Sequence, residues 1–210
     1  MSTMPHKGTY SRGYLPHRDY PGALQAITFR LADSVPAKVI ASWRSELSAL
    51  LESADTKTAD QAIRELHHRI SRYEDTGHGA CHLRNPEVAA ILQNKLISSH
   101  LERYQLLAWC IMPNHVHVMI REIENHPLGI VVQGWKGGSA IEINRMLGRS
   151  GRLWNPDFHD RFIRDESHFY RCLSYIHQNP VKAGLCKAPE DWPFSSIGCG
   201  WDPSRSDREL

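Results

Sequence analysis

Between Gln25 and Leu31 the chain alternates, with Ile27, Phe29 and Leu31 separated by Thr28 and Arg30. Alternation with a period of two predicts a strand with one face buried. Pro36 then opens a predicted helix to about Glu52, with Val39, Ile40, Trp43, Leu47 and Leu50 at helical spacing. A second helix is predicted over Thr58–Tyr73, stopped by Gly77-His78-Gly79, and a third runs from Pro86 to about Leu101. Leu106–Met112 and Val116–Arg121 read as two strands joined by Pro113-Asn114. A helix follows over Gly129–Leu147, weakened in its middle by Gly134, Gly137 and Gly138. Phe158–Ile163 is a short strand, and Ser167 to about Gln178 is an amphipathic helix that Pro180 should end. Residues 1–21 show no periodicity and read as an irregular lead-in. This order of elements indicates an α+β fold on a mainly antiparallel sheet.

Composition narrows the picture. A length of 210 residues favours one domain, and aromatic residues at 9% with a net charge of +2 argue against disorder. The longest apolar run, Leu106–Met112, is far short of the ~20 residues a membrane helix needs, so no membrane partner is expected. Five Cys without a CxxC pair, and no apolar leader in the first ten residues, predict free thiols and a cytoplasmic location. Among the 25 basic residues, seven are Lys and 18 are Arg, the cation suited to bidentate phosphate contacts. Between Gly134 and Arg152, Lys136, Arg145, Arg149 and Arg152 face a single acid, Glu142, which weakly favours an anionic ligand there.

Two patterns carry candidate chemistry. His115 and His117 stand two apart on a predicted strand, so both imidazoles project to one face, as two thirds of a divalent-metal site would require. An isolated pair of this kind also fits two ordinary histidines on a half-exposed strand. A zinc-protease HExxH is absent, and Met119 stands where a histidine triad would continue. The second pattern is Ser174–Val181. Tyr175 and Asn179 lie four apart on one helical face, offering a phenolic nucleophile and a carbonyl ligand. A tyrosine so placed also fits a core residue with a wet hydroxyl. His177 is rotated off that face by roughly 200°.

Together, PNHVHV at 113–118, YIHQNPVKAGL at 175–185 and WPFSS at 192–196 resemble the REP-associated tyrosine transposases, relatives of the single-tyrosine HUH transposases of insertion sequences. Gly13–His17, Ile27–Leu31, Trp135-Lys136 and Asp160–Asp165 extend the resemblance to most of the chain except about residues 52–100. It implies a single HUH-type domain over 1–210, a ferredoxin-like central antiparallel sheet flanked by helices, with a helical insertion at about 52–100 on the sheet edge. It implies that His115, His117 and Asn179 hold Mg²⁺ or Mn²⁺ and that Tyr175 attacks single-stranded or hairpin DNA. The product would be a 5′-phosphotyrosine, allowing cleavage and rejoining at REP-type palindromes by a monomer or homodimer. Trp135, Lys136, Arg145, Arg149 and Arg152 are the expected nucleic-acid contacts. Family members often carry Gly-Thr-Trp-Tyr before the first strand; Gly22-Ala23-Leu24-Gln25 stands there instead, so the recognised sequence is left open. A hairpin-binding regulator without catalysis, and a phosphodiesterase that uses water, are the competing readings.

Overall fold

In the computed structural model, which describes residues 5–12, 15–52 and 55–204, the alternating stretch is a strand paired on both sides. The strands are β1 (Gly8–Arg12), β2 (Leu15–Asp19), β3 (Leu24–Arg30), β4 (Tyr104–Ile111), β5 (His115–Glu122) and β6 (His159–Phe162). The helices are α1 (Ala37–Glu46), α2 (Ser48–Leu51), α3 (Thr56–Asp75), α4 (Pro86–Ile97), α5 (Leu128–Met146) and α6 (Glu166–Lys182). Strands β4-β5-β3-β6 form one antiparallel sheet in that order, and β1 and β2 a separate hairpin. The α+β architecture with a central antiparallel sheet is therefore the one observed.

Strand alternation sends Val116, Val118 and Ile120 of β5 to one face, where they join Ile27 and Phe29 of β3, and Leu31 just beyond it, in the larger core. Helices α4 and α5 close this face through Val88, Leu92, Leu96, Val131, Val132, Trp135 and Ile143. The opposite face carries Ala108, Cys110, Met112 and Met119, covered by Cys172 and Ile176 of α6. Helix α3 packs through Leu66 and Ile70 against Val35 and Leu47 beside α1. Within the 52–100 stretch, then, α3 belongs to one layer and α4 is part of the main core on the other side.

Two local expectations are revised, and a third, the glycine-weakened helix, holds. The supposedly irregular lead-in contains the β1–β2 hairpin, which docks on β6, where the Arg18 N–H donates to Asp160 Oδ2 at 3.3 Å. Gly13 and Tyr14, quoted in the resemblance, lie outside the described residues. Helix α6 runs through Pro180 to Lys182, because a proline in the last turn removes one helix hydrogen bond while the buried face holds. Helix α5 tolerates its three glycines because Leu128, Val131, Val132, Trp135, Ser139 and Ile143 are buried along one side. The C-terminal segment lies along the outer edge of β4: Ile111 N–H donates to Phe194 O at 2.9 Å and Ser196 N–H to Trp109 O at 2.9 Å.

Candidate active site

The face closed by α6 is where the chemistry gathers. On β5, His115 and His117 point into it, and register places Thr28 and Arg30 of β3 opposite His117 and His115. The two Nε2 atoms face each other at 3.0 Å, and both rings are buried. Their other nitrogens are engaged: His115 Nδ1 lies 2.8 Å from Asn114 Oδ1, and His117 Nδ1 lies 2.9 Å from Thr28 Oγ1. An amide oxygen can only accept, so His115 carries its proton on Nδ1 and presents an Nε2 lone pair. Burial pushes the His117 ring down to about 4 and, with His117 beside it, holds His115 well below its ordinary value. Both are neutral at pH 7. The Thr28 hydroxyl can donate to or accept from His117 Nδ1, so His117 Nε2 can either donate its proton to His115 Nε2 across this gap or, with the proton on Nδ1, offer a second lone pair to a cation. That separation is also the one spanned by two ligands at right angles on an ion, each about 2.1 Å away. The pair fits a divalent metal.

Tyr175 reaches the same place from α6. Its ring stands edge-on to His117 with centroids 5.3 Å apart, and its hydroxyl lies 3.1 Å from Ser71 Oγ on α3. The ring is 38% exposed, so a large substrate can approach it. Lys182 Nζ sits over the ring, 5.1 Å from its centroid. Asp165 caps the start of α6 by accepting the His168 N–H at 2.7 Å, and so fixes the helix that presents Tyr175. Asn179 is buried one turn beyond Tyr175, and its amide nitrogen donates to Tyr175 O at 3.4 Å. Among the described residues it forms no hydrogen bond to either histidine. Asp75, at the end of α3, does approach: its Oδ1 lies 3.6 Å from His115 Nε2. The structure thus brings His115, His117 and Tyr175 together, with Asn179 alongside and Asp75 unforeseen.

A cavity of about 500 Å³ opens from His117 and Tyr175 between α3, α6 and strands β3 and β6. Arg64, Arg161, Arg164 and Arg171 line it, as do His67 and His159, whose ring centroids lie 4.0 Å apart with the planes tilted by 36°. Among the described residues none of Arg64, Arg161 and Arg164 forms a salt bridge. Glu74, also in the wall, is tied to Arg30 at 3.3 Å, and burial raises its carboxyl to about 8. The cavity is cationic.

The basic residues expected on α5 are elsewhere. Trp135 is a core residue whose indole N–H donates to Tyr104 Oη at 2.7 Å, because position 135 falls on the buried side of α5. Lys136 Nζ donates to Pro156 O at 2.9 Å, tying α5 to the loop before β6. Arg149 donates to Asn144 Oδ1 at 2.9 Å and braces the turn after α5, while Arg145 and Arg152 are exposed. Helix α5 covers the sheet face opposite the two histidines, so these residues do not line the cavity. Arg161 and Arg164 had a signal, since both lie in the Asp160–Asp165 motif; Asp75 and Ser71 had none.

A second polar cluster lies at the far end of β5. His6 Nδ1 approaches Asp19 Oδ1 at 2.6 Å and Glu122 Oε2 at 3.2 Å. These three side chains could gather around a cation. Burial, reinforced by Asp19, raises the Glu122 carboxyl to about 9. Asp19 is held low despite its burial by the N–H groups of Lys7 and Leu128.

A sequence model of the IS200-like transposases matches residues 86–179, from α4 through Asn179. An Escherichia coli K12 REP-associated tyrosine transposase is 27% identical over 111 residues, 51% of this chain and 63% of that protein. A Haemophilus influenzae protein bearing the same name in provisional form is 29% identical over 104 residues, 45% of this chain and 59% of that protein. The match thus spans about three fifths of the length of these curated relatives. A solved REP-associated tyrosine transposase bound to a REP hairpin shares the fold, with a TM-score of 0.54 at 18% identity, covering 90% of this chain and 82% of that one. Among the described residues no helix is long and apolar enough to cross a membrane. Residues 86–179 are thus similar to the IS200-like transposases, about half of the chain is similar to curated REP-associated tyrosine transposases, and nearly the whole chain shares the fold of a solved one.

Proposed function

We propose that this chain cleaves and rejoins single-stranded DNA at hairpin elements of the REP type, through Tyr175 and with Mg²⁺ or Mn²⁺ held by His115 and His117. The supporting observation is one arrangement: a phenol edge-on to His117, beside two facing Nε2 atoms, at the mouth of an arginine-lined cavity. A bound divalent ion supplies positive charge to a non-bridging phosphate oxygen. Asn114 and Thr28 hold the two rings with Nε2 inward. Arg64, Arg161, Arg164 and Arg171 take up the backbone charge of a single strand, and Ser71 orients the phenol hydroxyl. Attack by the Tyr175 oxygen on the scissile phosphorus forms the phosphotyrosine at a 5′ end and releases a 3′-hydroxyl. Because the bond energy stays in that link, another 3′-hydroxyl can attack it, freeing the phenol and joining strands. Asn179 is the third ligand on this reading, and residues 1–210 act as one domain into which the 52–100 stretch is inserted.

The test is a denaturing gel of end-labelled hairpin DNA incubated with protein and Mn²⁺. A band retarded by the protein's mass is expected, lost in Tyr175→Phe while native-gel binding persists. Deleting one hydroxyl should cost no more than about 1–2 kcal/mol of stability. Cleavage without an adduct that survives Tyr175→Phe would identify a water-using phosphodiesterase. Hairpin binding with neither cleavage nor adduct would identify a regulator.

A further inference from the structure

We propose that Asp75 is a ligand of the same divalent ion as His115 and His117, which makes α3 part of the active site; the inference rests on the metal reading above. Asp75 Oδ1 is buried and has no hydrogen-bond partner, and His115 Nε2 lies 3.6 Å from it. A buried carboxylate oxygen without a donor is costly, and it persists where something else satisfies it. Two ligands of one ion, each about 2.1 Å from it, stand between about 3.0 Å apart at a right angle and 4.2 Å apart when opposed. The 3.6 Å contact to His115 falls within that span, and the Asp75 side chain, 35% exposed, has to turn toward His117 to complete the same shell. Hard ions such as Mg²⁺ and Mn²⁺ prefer carboxylate oxygen, which two imidazoles alone do not provide.

The placement of Asp75 is enforced from three sides. Asn114 spans both partners: its amide nitrogen donates to Glu74 O at 3.1 Å and His78 O at 2.9 Å, and its oxygen faces His115 Nδ1. One side chain therefore fixes the end of α3 relative to the ring. Glu74, next in sequence, is anchored to Arg30, which pairs in register with His115. One helical turn before Asp75, Ser71 meets the Tyr175 hydroxyl. Positions 71 and 75 share one face of α3, so this helix touches both the nucleophile and the histidine pair.

Mn²⁺ binding to the full chain without DNA, followed by calorimetry and by the loss of the free-ion electron paramagnetic resonance signal, tests the assignment. Asp75→Asn should weaken Mn²⁺ binding by about tenfold or more. Its melting temperature without metal should match or exceed the parent's, since a carboxylate with one oxygen buried and without a donor has been neutralised. Asp75→Asn binding Mn²⁺ as tightly as the parent, while His117→Ala loses it, would overturn the assignment and leave the histidine site standing. A parent protein that binds no Mn²⁺ would remove the metal from this site, and the inference with it.

Discussion

At the scale of single residues, the histidine pair was legible because strand alternation alone puts positions 115 and 117 on one side. What holds the rings was not. Thr28 comes from another strand and is brought opposite His117 by sheet register. Removing such a supporting hydrogen bond typically costs 10–100-fold in metal affinity or activity. Thr28→Val should therefore lose about that much in Mn²⁺ affinity by calorimetry, and Thr28→Ser should keep most of it. The expected DNA contacts were likewise chosen by closeness in sequence. Basic residues on α5 are close in sequence to one another but lie across the sheet from Tyr175. Arg161→Ala and Arg164→Ala should each weaken single-strand binding and reduce the slope of log K against log salt by about 0.7, whereas Arg145→Ala should leave that slope unchanged.

Among the elements, the strands and helices with strong periodicity matched their predicted places, and the exceptions have physical causes. The β1–β2 hairpin shows no alternation in Gly8–Asp19, and its docking on β6 depends on pairs such as His17 with Asp160, far apart in sequence. Helix α6 outruns its expected stop because Cys172, Ile176, Asn179 and Pro180 are buried along one stripe, and packing outweighs one missing N–H. Its start, one residue ahead of the expected Ser167, depends on Asp165, whose side chain accepts the His168 N–H. Asp165→Ala should cost about 1 kcal/mol, read as a fall in melting temperature of roughly 2–4 °C for a chain this long. Covalent attachment should slow without vanishing, since the lost cap lies more than two turns from Tyr175.

For the molecule as a whole, one contributor to the pH dependence of stability lies at the far end of β5. Glu122 titrates at about 9 in the fold against an ordinary value of 4.5, because burial disfavours its charge. Between those values the folded chain keeps a proton that the unfolded chain releases, so this contribution is complete below about pH 4.5 and is lost as pH rises through about 9. Its slope is at most about 1.4 kcal/mol per pH unit. Glu122→Gln, which keeps the shape without the titration, should melt with a shallower decline between pH 7 and pH 9.5 than the parent. Identical declines would mean that Glu122 is ionised in the fold. The chain's own C-terminal segment, meanwhile, occupies the hydrogen-bonding rim of β4 at Trp109 and Ile111. A rim already satisfied in this way offers no template on which a foreign strand can grow. Any association between copies through that side must first peel Phe194 and Ser196 away, which gives the protein an intrinsic guard against edge-to-edge aggregation at β4.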